Sequence, residues 1–478
     1  MAFDYNSLES EFQEHTVELQ SAYNNGDYYK AICYIKFLSN FYYQINYKFT
    51  DDFLEKVLED ISYKLLGENV LCNTRKDTII FYDNFGLSER GLASIYVNSL
   101  IELGYNIIYI LHDYAADKDI IIKRYSTYNN VTFEIIPKFI ITNRMEYLSK
   151  LIVKYNPGHI FIYTTPDDVE GIGTISTIKG DVKRYLIDLT DHAFWLGKCA
   201  ADYIIGFRNY GYNIALQYRN IESEKLLILP YYPEKRKYCS YEGMPFGEDK
   251  PFVFSGGSVY KIEGSAVYEK IVEHILDNYP EIYFVYAGNG ESEKLDKLEE
   301  KYNGRLVHIS ERRDLDEVLQ HAKVYLATYP ESGGLMVQYA LLNKCIPLDL
   351  CVQKGGITDP HTWLLNSDEI DFVFYSVDEL CKEFDELMNN EEYYETKREG
   401  LDKFVISEAE FTEQLHSIIK NQQTVYVGVR EEIDISQYLK LYRERISYDK
   451  YCEIIYRSRN KWIWDKYPDV IQRMENKQ

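Results

Sequence analysis

The sequence lacks the cysteine and histidine patterns that mark metal sites and disulfide scaffolds. Its 478 residues include eight cysteines, none in a C-x-x-C pair and none accompanied by a histidine cluster. Paired cysteines are the usual signature of a disulfide framework or a zinc site. Scattered thiols instead favour a reducing compartment, so we expect neither disulfide bonds nor a metal ion.

Positive charge is also scarce. Lys and Arg total 53 against 76 Asp and Glu, which gives a formal net charge of −23 at pH 7. A surface this acidic repels nucleic acids and anionic lipids. We therefore expect no nucleic-acid partner, although a local basic groove for a diphosphate is compatible with this charge balance.

Long apolar segments are missing as well. No apolar run approaches the ~20 residues that span a bilayer, and the acidic segment MAFDYNSLESEFQEH has no apolar core of the kind found in signal peptides. The expected location is the cytoplasm, with peripheral contact at the inner membrane surface left open. Tyrosine is abundant, with 47 copies, which is typical of an AT-rich bacterial genome. The tyrosines either line a sugar-binding cleft or pack in the cores.

The chain is predicted to contain two α/β series between helical ends. Residues 1–70 have helical apolar spacing and form an N-terminal extension. Residues 71–235 and 236–420 each alternate short strands with amphipathic helices, which predicts two parallel sheets covered on both faces. Residues 421–478 form a helical tail. The predicted strands are 78–82, 106–111, 131–136, 159–163, 184–187, 203–205 and 226–229 in the first series, and 252–255, 282–286, 306–309, 324–327, 346–350 and 372–375 in the second.

The end of the sequence mixes Tyr, Trp, Arg and Lys in YLKLYRERISYDKYCEIIYRSRNKWIWDKYPDVIQRM. A basic, aromatic helix of this kind either lies on a membrane surface or binds a protein partner. The alternative is a helix packed against the domains, which the interrupting acidic residues favour. The oligomeric state is left open.

Turns after strands are the places to search for chemistry, because ligands of open α/β sheets bind beyond the carboxyl ends of the strands. The segment YDNFGLSERGLAS places Gly86 and Gly91 in the first such turn. It is either a tight strand-to-helix turn or an anion site at a helix start.

Two glycine turns of the second series are candidate diphosphate-binding elements. FSGGSVYKIEGS contains Gly256 and Gly257, which permit close backbone approach, and Lys261, which supplies positive charge. VYAGNGESEK contains Gly288 and Gly290, which either shape a nucleotide pocket or form a simple turn.

The segment ATYPESGGLMVQYALLNKCIPL is the most specific in the sequence. Glu331, Ser332, Gly333 and Gly334 lie where a strand ends and a helix starts. A helix start offers unpaired N–H groups, and its small residues keep side chains away from a bound phosphate. Ser332 is expected to donate to that phosphate, and Glu331 to accept from sugar or ribose hydroxyls.

From about residue 76 to 390 the sequence resembles GT-B glycosyltransferases. FVFSGGSVYKIEG, the YAGNG turn and RLVHISERRDLDEVLQHAKVYLATYPESGGLMVQYALLNKCIPL follow one another in the order of that family. The resemblance implies an α/β protein with two Rossmann-like domains facing each other across a cleft, the first holding the acceptor and the second the nucleotide sugar.

Two branches of the family share motifs with this segment. The retaining pattern E-G-F-G-L-x-x-x-E-A is matched by Glu331, Gly334, Leu335 and Ala340, but Tyr339 replaces the second glutamate. That glutamate is expected to hold the ribose, so donor binding must differ here.

The segment YKIEG resembles the Y-K-I-x-P element of O-GlcNAc-transferase-like enzymes, in which the lysine contacts the diphosphate. This supports Lys261, although Gly264 replaces the proline. The two branches transfer with opposite stereochemistry, so retention or inversion is left open.

The segment IDLTDHAFWLGKC resembles a D-H-x-F-W loop of the acceptor domain. His192 is the candidate general base or sugar contact. Asp191 either orients His192 or caps the next helix, and Asp188 is a weaker candidate. Arg208 and Tyr210 either reach the cleft or start an exposed helix.

The resemblance implies a metal-independent glycosyltransferase without a cofactor, since no D-x-D motif stands in a suitable setting. It would move a sugar from a nucleotide donor, UDP being the preferred nucleotide, to a glycan, lipid-linked or protein acceptor. Bacterial surface polysaccharide biosynthesis is the first expected role and protein glycosylation the second. Two alternatives remain open: a non-catalytic GT-B subunit, which Tyr339 favours, and a GT-B isomerase or hydrolase of nucleotide sugars.

Overall fold

The computed structural model describes residues 8–88, 92–234, 239–247, 249–263 and 265–477. Within these ranges no helix combines the length and apolar character that crossing a bilayer requires. The α-helices are α1 (Leu8–Asn24), α2 (Tyr28–Ile45), α3 (Asp52–Leu66), α4 (Ala93–Glu102), α5 (Lys118–Tyr125), α6 (Ile141–Tyr155), α7 (Val169–Ser176), α8 (Asn209–Tyr218), α9 (Tyr260–Glu263), α10 (Val267–Asn278), α11 (Glu293–Tyr302), α12 (Leu315–His321), α13 (Gly334–Leu342), α14 (Val377–Asn389), α15 (Glu391–Arg398), α16 (Glu408–Asn421), α17 (Ser436–Arg445), α18 (Tyr448–Arg457), α19 (Lys461–Trp464) and α20 (Pro468–Glu475).

The strands form two large parallel sheets and one small parallel pair. They are β1 (Asn69–Leu71), β2 (Arg75–Asp83), β3 (Asn106–His112), β4 (Val131–Ile136), β5 (Pro157–Tyr163), β6 (Ile178–Gly180), β7 (Lys183–Ile187), β8 (Tyr203–Gly206), β9 (Leu226–Ile228), β10 (Phe252–Gly256), β11 (Tyr283–Ala287), β12 (Leu306–Ile309), β13 (Val324–Leu326), β14 (Ile346–Leu350) and β15 (Val373–Phe374).

The first sheet has seven strands in the order β4-β3-β2-β5-β7-β8-β9. Ile80 of β2 pairs with Ile108 of β3 on one side and with Ile160 of β5 on the other, and all three are buried. A parallel strand covered by helices on both faces reads as a nearly continuous apolar run. The runs TIIFY, NIIYIL and HIFIY therefore form the centre of this sheet.

The second sheet has six strands in the order β12-β11-β10-β13-β14-β15. Val253 of β10 pairs with Phe284 of β11 and with Val324 of β13, again with all three buried. Each large sheet is parallel throughout, so all its strands end at the same edge. The two βα series predicted from the sequence are thus both present as Rossmann-like sheets.

The helices at both ends of the described chain pack in one core with the first sheet. Leu38 of α2, Leu58 of α3 and Ile455 of α18 belong to the same buried cluster as Ile80 and Ile160. The first sheet therefore has its helical cover supplied partly by segments from outside the βα series.

Polar contacts also join α1 to the last helices. His15 of α1 lies 2.6 Å from the hydroxyl of Tyr467, and the Tyr451 hydroxyl of α18 donates to Glu11 at 2.9 Å. The apolar side of the predicted tail, including Cys452 and Ile471, is buried in this core.

The chain divides into two compact units. The first consists of Met1–Leu229, Ala409–Glu432 and Tyr442–Gln478, and the second of Pro230–Glu408 and Ile433–Leu441. The segments predicted as a separate extension (1–70) and a separate tail (421–478) thus fall largely within the first unit, because their apolar faces share its core.

Candidate active site

Two glycine turns pack directly against each other at the carboxyl edge of the second sheet. β10 ends at Gly256 and is followed by Gly257, while Gly288 follows β11. A Cβ atom added to Gly288 would lie 1.9 Å from the carbonyl oxygen of Gly257, and one added to Gly256 would lie 2.9 Å from that of Ala287. Gly257 also has a φ of +144°, which favours glycine. Larger residues at Gly256 and Gly288 would separate the two backbones.

The fourth glycine of these two turns is Gly290, at the end of the second turn. Its φ is +125°, and a Cβ atom on it would lie 3.1 Å from Cβ of Val259. Val259 immediately precedes the short helix α9, which carries Lys261. Gly290 therefore lets the second turn pack against the segment that positions the lysine.

Lys261 lies between the first glycine turn and the start of α13. Its Cδ is 3.5 Å from where a Cβ on Gly257 would be, and its Nζ is 3.2 Å from where a Cβ on Gly333 would be. α13 starts at Gly334 with Gly333 as its N-cap residue, and no side chain caps this end. The first N–H groups of a helix lack intrahelical partners and carry partial positive charge. An ammonium group and a helix N-terminus thus meet at one place, which suits an anionic diphosphate.

Ser332, which was predicted to donate to a phosphate, donates to a carboxyl group in this structure. Its Oγ lies 2.6 Å from Oδ2 of Asp349. The preceding loop is fixed by Thr328, whose hydroxyl donates to the carbonyl oxygen of Glu331 at 2.6 Å. The loop that leads into α13 is therefore held by hydrogen bonds at Glu331 and at Ser332.

Asp349 was not identified from the sequence. It lies near the end of β14 and is fully buried, and its burial, together with the nearby charge of Asp359, raises the pKa of its carboxyl group to about 7. Asp359 is also buried and accepts a hydrogen bond from the Tyr375 hydroxyl at 2.9 Å. A single acid in the otherwise apolar strand IPLDL was the signal that could have revealed it.

We expect Asp349→Asn to change how stability depends on pH. A carboxyl group whose pKa is raised in the folded state stabilises the protein fully below its unfolded pKa of about 4, and that contribution is lost as the pH rises towards about 7. An amide cannot ionise, and its oxygen can still accept from Ser332. Urea denaturation at pH 5 and pH 8 should therefore show the variant gaining stability relative to wild type at the higher pH.

The matched control is Asp368→Asn, which replaces an exposed carboxyl group of the same unit. Its stability should follow that of the wild type at both pH values. An Asp349→Asn variant that also follows the wild type would show that the buried carboxyl group does not titrate as described.

Tyr339 makes a hydrogen bond within the second unit. Its hydroxyl donates to the carbonyl oxygen of Glu234 at 3.0 Å, and the neighbouring Gln338 donates to the carbonyl oxygen of Tyr231 at 2.9 Å. The hydroxyl of Tyr231 in turn lies 3.2 Å from where a Cβ on Gly334 would be. α13 is therefore anchored to the segment at 231–234 on the side that carries Tyr339.

In the first unit, Asp191 forms a buried ion pair with Arg208. The guanidinium group donates to both carboxylate oxygens, at 2.5 and 2.7 Å. Burial would raise the pKa of Asp191, but Arg208 holds it well below its usual range. Arg208 precedes the first residue of α8, and its side chain is only 6% exposed and is engaged by Asp191.

His192 is the more accessible member of this group. Its side chain is 33% exposed, and its Nδ1 lies 3.7 Å from Oδ1 of Asp191, which is longer than a hydrogen bond. Nearby, burial raises the pKa of Asp188 to about 6 and lowers that of the fully buried Arg219 to about 10. Arg219 donates to the carbonyl oxygen of Ala193 at 2.6 Å and so fixes the loop that carries His192.

Tyr210 and Gly86 are placed by packing. Tyr210 is buried, with its ring 4.8 Å from the guanidinium carbon of Arg208. Gly86 has a φ of +58°, donates its N–H to Asp83 at 2.8 Å, and leaves no room for a side chain, since a Cβ would lie 2.4 Å from that of Ala115. Gly91, like Gly264, lies outside the described residues.

The predicted site residues divide between the two units. Those predicted to bind the nucleotide sugar lie in the second unit and are Gly256, Gly257, Lys261, Gly288, Gly290, Glu331, Ser332, Gly333, Gly334 and Tyr339. The first unit holds the predicted catalytic residues Asp191 and His192 and the predicted cleft residues Gly86, Arg208 and Tyr210. Among the residues that the structure describes, no cluster of three or more His, Cys, Asp or Glu side chains is arranged to hold a metal ion.

Comparison with known proteins identifies the fold. No protein-family model and no curated protein matches the sequence. Among solved structures, an O-GlcNAc transferase mutant from Thermobaculum terrenum matches with 13% identity and a TM-score of 0.51, over 91% of this chain and 84% of the other.

Two further structures match over the whole of their own chains and over 72% of this chain. S. aureus TarM, in complex with Fondaparinux, alpha-GlcNAc-glycerol and UDP, matches with 10% identity and a TM-score of 0.51. The UDP-GlcNAc 2-epimerase from Neisseria meningitidis, bound to UDP-GlcNAc, matches with 11% identity and a TM-score of 0.50. The chain has the GT-B fold that these enzymes share, as the sequence predicted.

Proposed function

We propose that this protein is a glycosyltransferase that moves a sugar from a nucleotide-sugar donor, with UDP as the nucleotide, to a glycan, lipid-linked or protein acceptor. The observation that carries the proposal is the position of Lys261. Its ammonium group lies beside Gly333, at the uncapped start of α13. Two sources of positive potential at one point suit a diphosphate, which is the part of the donor common to the nucleoside-diphosphate sugars, UDP-sugars included.

The proposed reaction breaks the bond between the anomeric carbon and the diphosphate oxygen and forms a bond from that carbon to an acceptor hydroxyl oxygen. Negative charge grows on the leaving diphosphate as the bond breaks. Lys261 and the first N–H groups of α13 stabilise that charge electrostatically, so the reaction needs no metal ion. His192 removes the proton of the acceptor hydroxyl or contacts the sugar.

Several features support the nucleotide and the acceptor class. TarM was solved with UDP and alpha-GlcNAc-glycerol, and the epimerase with UDP-GlcNAc, which supports UDP as the nucleotide here. Abundant tyrosine and the bacterial sources of the matching structures support a bacterial enzyme. We further propose that it is a cytoplasmic enzyme of surface-glycan assembly, with protein glycosylation as the second role. Peripheral contact with the inner membrane surface fits such an acceptor.

A second candidate is isomerisation or hydrolysis of a nucleotide sugar, because the UDP-GlcNAc 2-epimerase has the same fold. A third is a non-catalytic GT-B subunit. Tyr339 supports it, because it replaces the glutamate expected to hold the ribose and its hydroxyl donates to the backbone carbonyl of Glu234. The lysine beside the helix start argues against the third candidate, since a subunit without donor binding has no need of it.

The test begins with thermal unfolding in the presence of UDP or GDP. We expect UDP to raise the unfolding temperature, because a ligand that binds only the folded state stabilises it. Incubation with individual UDP-sugars, with and without a glycan acceptor, then separates the candidates. Sugar transfer supports the proposal, whereas epimerisation or release of free sugar alone supports the second candidate. Transfer should persist in EDTA, and absence of any nucleotide effect would overturn the proposal.

A further inference from the structure

A cavity of about 720 Å³ lies at the carboxyl edge of the first sheet. Asn84, Tyr114, Phe139 and Asp167 line it, and they follow β2, β3, β4 and β5, which are neighbours in the sheet. The volume is within the range of about 300–1,000 Å³ that small-molecule sites occupy. The cavity therefore has both the place and the size of a ligand site.

The other walls come from segments outside the βα series. α2 contributes Tyr29, Phe37 and Asn40, while the end of α18 and the residues after it contribute Ile454 and Asn460. These segments share the core of the first unit with the sheet. Helices from the N-terminal and C-terminal segments thus complete the cavity.

A buried ion pair stiffens the floor of the cavity. Glu170 is 2% exposed, and Arg144, a lining residue, donates to its Oε2 at 2.6 Å through Nε. Lys36, which also lines the cavity, lies 3.9 Å from the same carboxylate. Asn84, another lining residue, donates to the hydroxyl of Tyr82 at 3.2 Å. The polar groups at the floor are therefore held in fixed positions.

The aromatic rings around the cavity are left partly exposed. Tyr114 is 45% exposed, Phe139 46% and Tyr29 39%. Tyr114 is stacked on His112, with ring centroids 4.7 Å apart and an interplanar angle of 22°, and the Arg144 guanidinium carbon lies 5.8 Å from its ring centroid. Rigid, exposed aromatic side chains are more typical of recognition surfaces than of ordinary surface.

We infer that this cavity binds a saccharide. A sugar ring presents C–H groups on its faces and hydroxyl groups around its edge, so it requires flat apolar surfaces interleaved with amides, carboxylates and cations. Tyr114 and Phe139 supply such surfaces, and Asn40, Asn84 and Asp167 supply polar groups. Lys36 and Arg144 pair with Glu170, and Arg457 pairs with Glu453. Arg459 also lines the cavity, and the ammonium and guanidinium groups can donate hydrogen bonds to sugar hydroxyl groups.

The inference that the bound saccharide is the acceptor rests on the proposed function, whereas saccharide binding itself does not. Helices from both ends of the chain pack on the first sheet and supply walls of the pocket that the sheet and its own turns do not provide. The helices thus determine which glycan the unit binds.

Saturation-transfer NMR with cellobiose, maltose and N,N′-diacetylchitobiose tests the inference on the full-length protein. We expect transfer from aromatic protons to at least one of these disaccharides, with binding at least about tenfold weaker in Tyr114→Ala and in Phe139→Ala. Tyr114→Phe keeps the ring and should bind like the wild type. Tyr128→Ala is the matched control, because Tyr128 is 44% exposed in the same unit and does not line the cavity.

Stabilisation by UDP, measured on the same samples, separates this inference from the proposed function. If UDP binds but no disaccharide receives saturation in the NMR experiment, the inference is overturned and the proposed function is unaffected. Saccharide binding without a UDP effect supports the inference and contradicts the function. Binding that is equally weakened by Tyr128→Ala, or unchanged by both cavity variants, also overturns the inference.

Discussion

Lys261→Ala is expected to lower the rate of sugar transfer about 100-fold or more while leaving the fold intact. Removing one preorganised donor from a developing oxyanion costs roughly 10²–10³ in turnover in well-studied enzymes. Lys261 is half-buried in the four-residue helix α9 and is not part of the buried core, so its removal should leave the core intact. The loss should appear in transfer kinetics, together with a smaller stabilisation by UDP.

Two further variants test whether the loss of activity depends on a positive charge at this position. Lys261→Arg keeps a cation but changes its shape, so it should retain part of the activity. Lys297→Ala removes a lysine of α11 that is 76% exposed, and its activity should match the wild type. Near-normal transfer by Lys261→Ala would show that the diphosphate does not bind between the first glycine turn and α13.

Asp191→Ala is expected to destabilise the protein by about 3–5 kcal/mol, because it leaves the guanidinium group of Arg208 buried without its partner. Arg208 is 6% exposed and Asp191 is 2% exposed, so water cannot replace the lost carboxylate readily. Replacing both residues with apolar ones, as in Asp191→Leu with Arg208→Met, should recover much of this loss. Urea denaturation of the single and double variants measures both effects.

Acidification provides an independent check of the same ion pair. A carboxyl group whose pKa is lowered on folding stabilises the protein above its unfolded pKa of about 4, and that contribution is lost as the pH falls further. The stability difference between wild type and Asp191→Ala should therefore shrink on acidification. Glu146→Ala, which removes an exposed partner of Lys150, should change stability by at most about 0.5 kcal/mol. A similarly small effect at Asp191 would contradict the buried pair.

The Asp191→Ala variant and the double variant of Asp191 and Arg208 separate a structural role of Asp191 from a role in the reaction. If Asp191 only holds Arg208 and the loop, a double variant that restores stability should also restore much of the transfer rate. His192 differs from Asp191 because its side chain is accessible and takes part in the proposed reaction, so His192→Ala removes a group that acts in the reaction.

The alternation of strands and helices was predictable because it depends on local patterns. Buried parallel strands require continuous apolar runs, and both sheets contain them at the predicted places. The helix start predicted at residues 331–334 is present, because α13 begins at Gly334. The short strands β1 and β6 were missed, because three residues each are too few to show a period.

Contacts between distant residues were not predictable in the same way. The partners of Ser332 and Arg208 depend on which side chains the folded chain brings together, and no local pattern specifies a pair such as Ser332 and Asp349. The cavity of the first unit is a larger example. Its walls come from α2 and from residues after α18, which are more than 400 positions apart in the sequence.

The discontinuous composition of the first unit also affects the order of events during translation. Domains generally form as units once their residues have been synthesised, with the N-terminal one first. Here Ala409–Glu432 and Tyr442–Gln478 complete a unit that begins before the other one. Most of the second sheet's unit leaves the ribosome while the first still lacks α16, α18, α19 and α20, which cover part of its apolar surface. The later Rossmann-like unit can therefore finish folding first, and the nascent first unit is the stage at which chaperones would be needed.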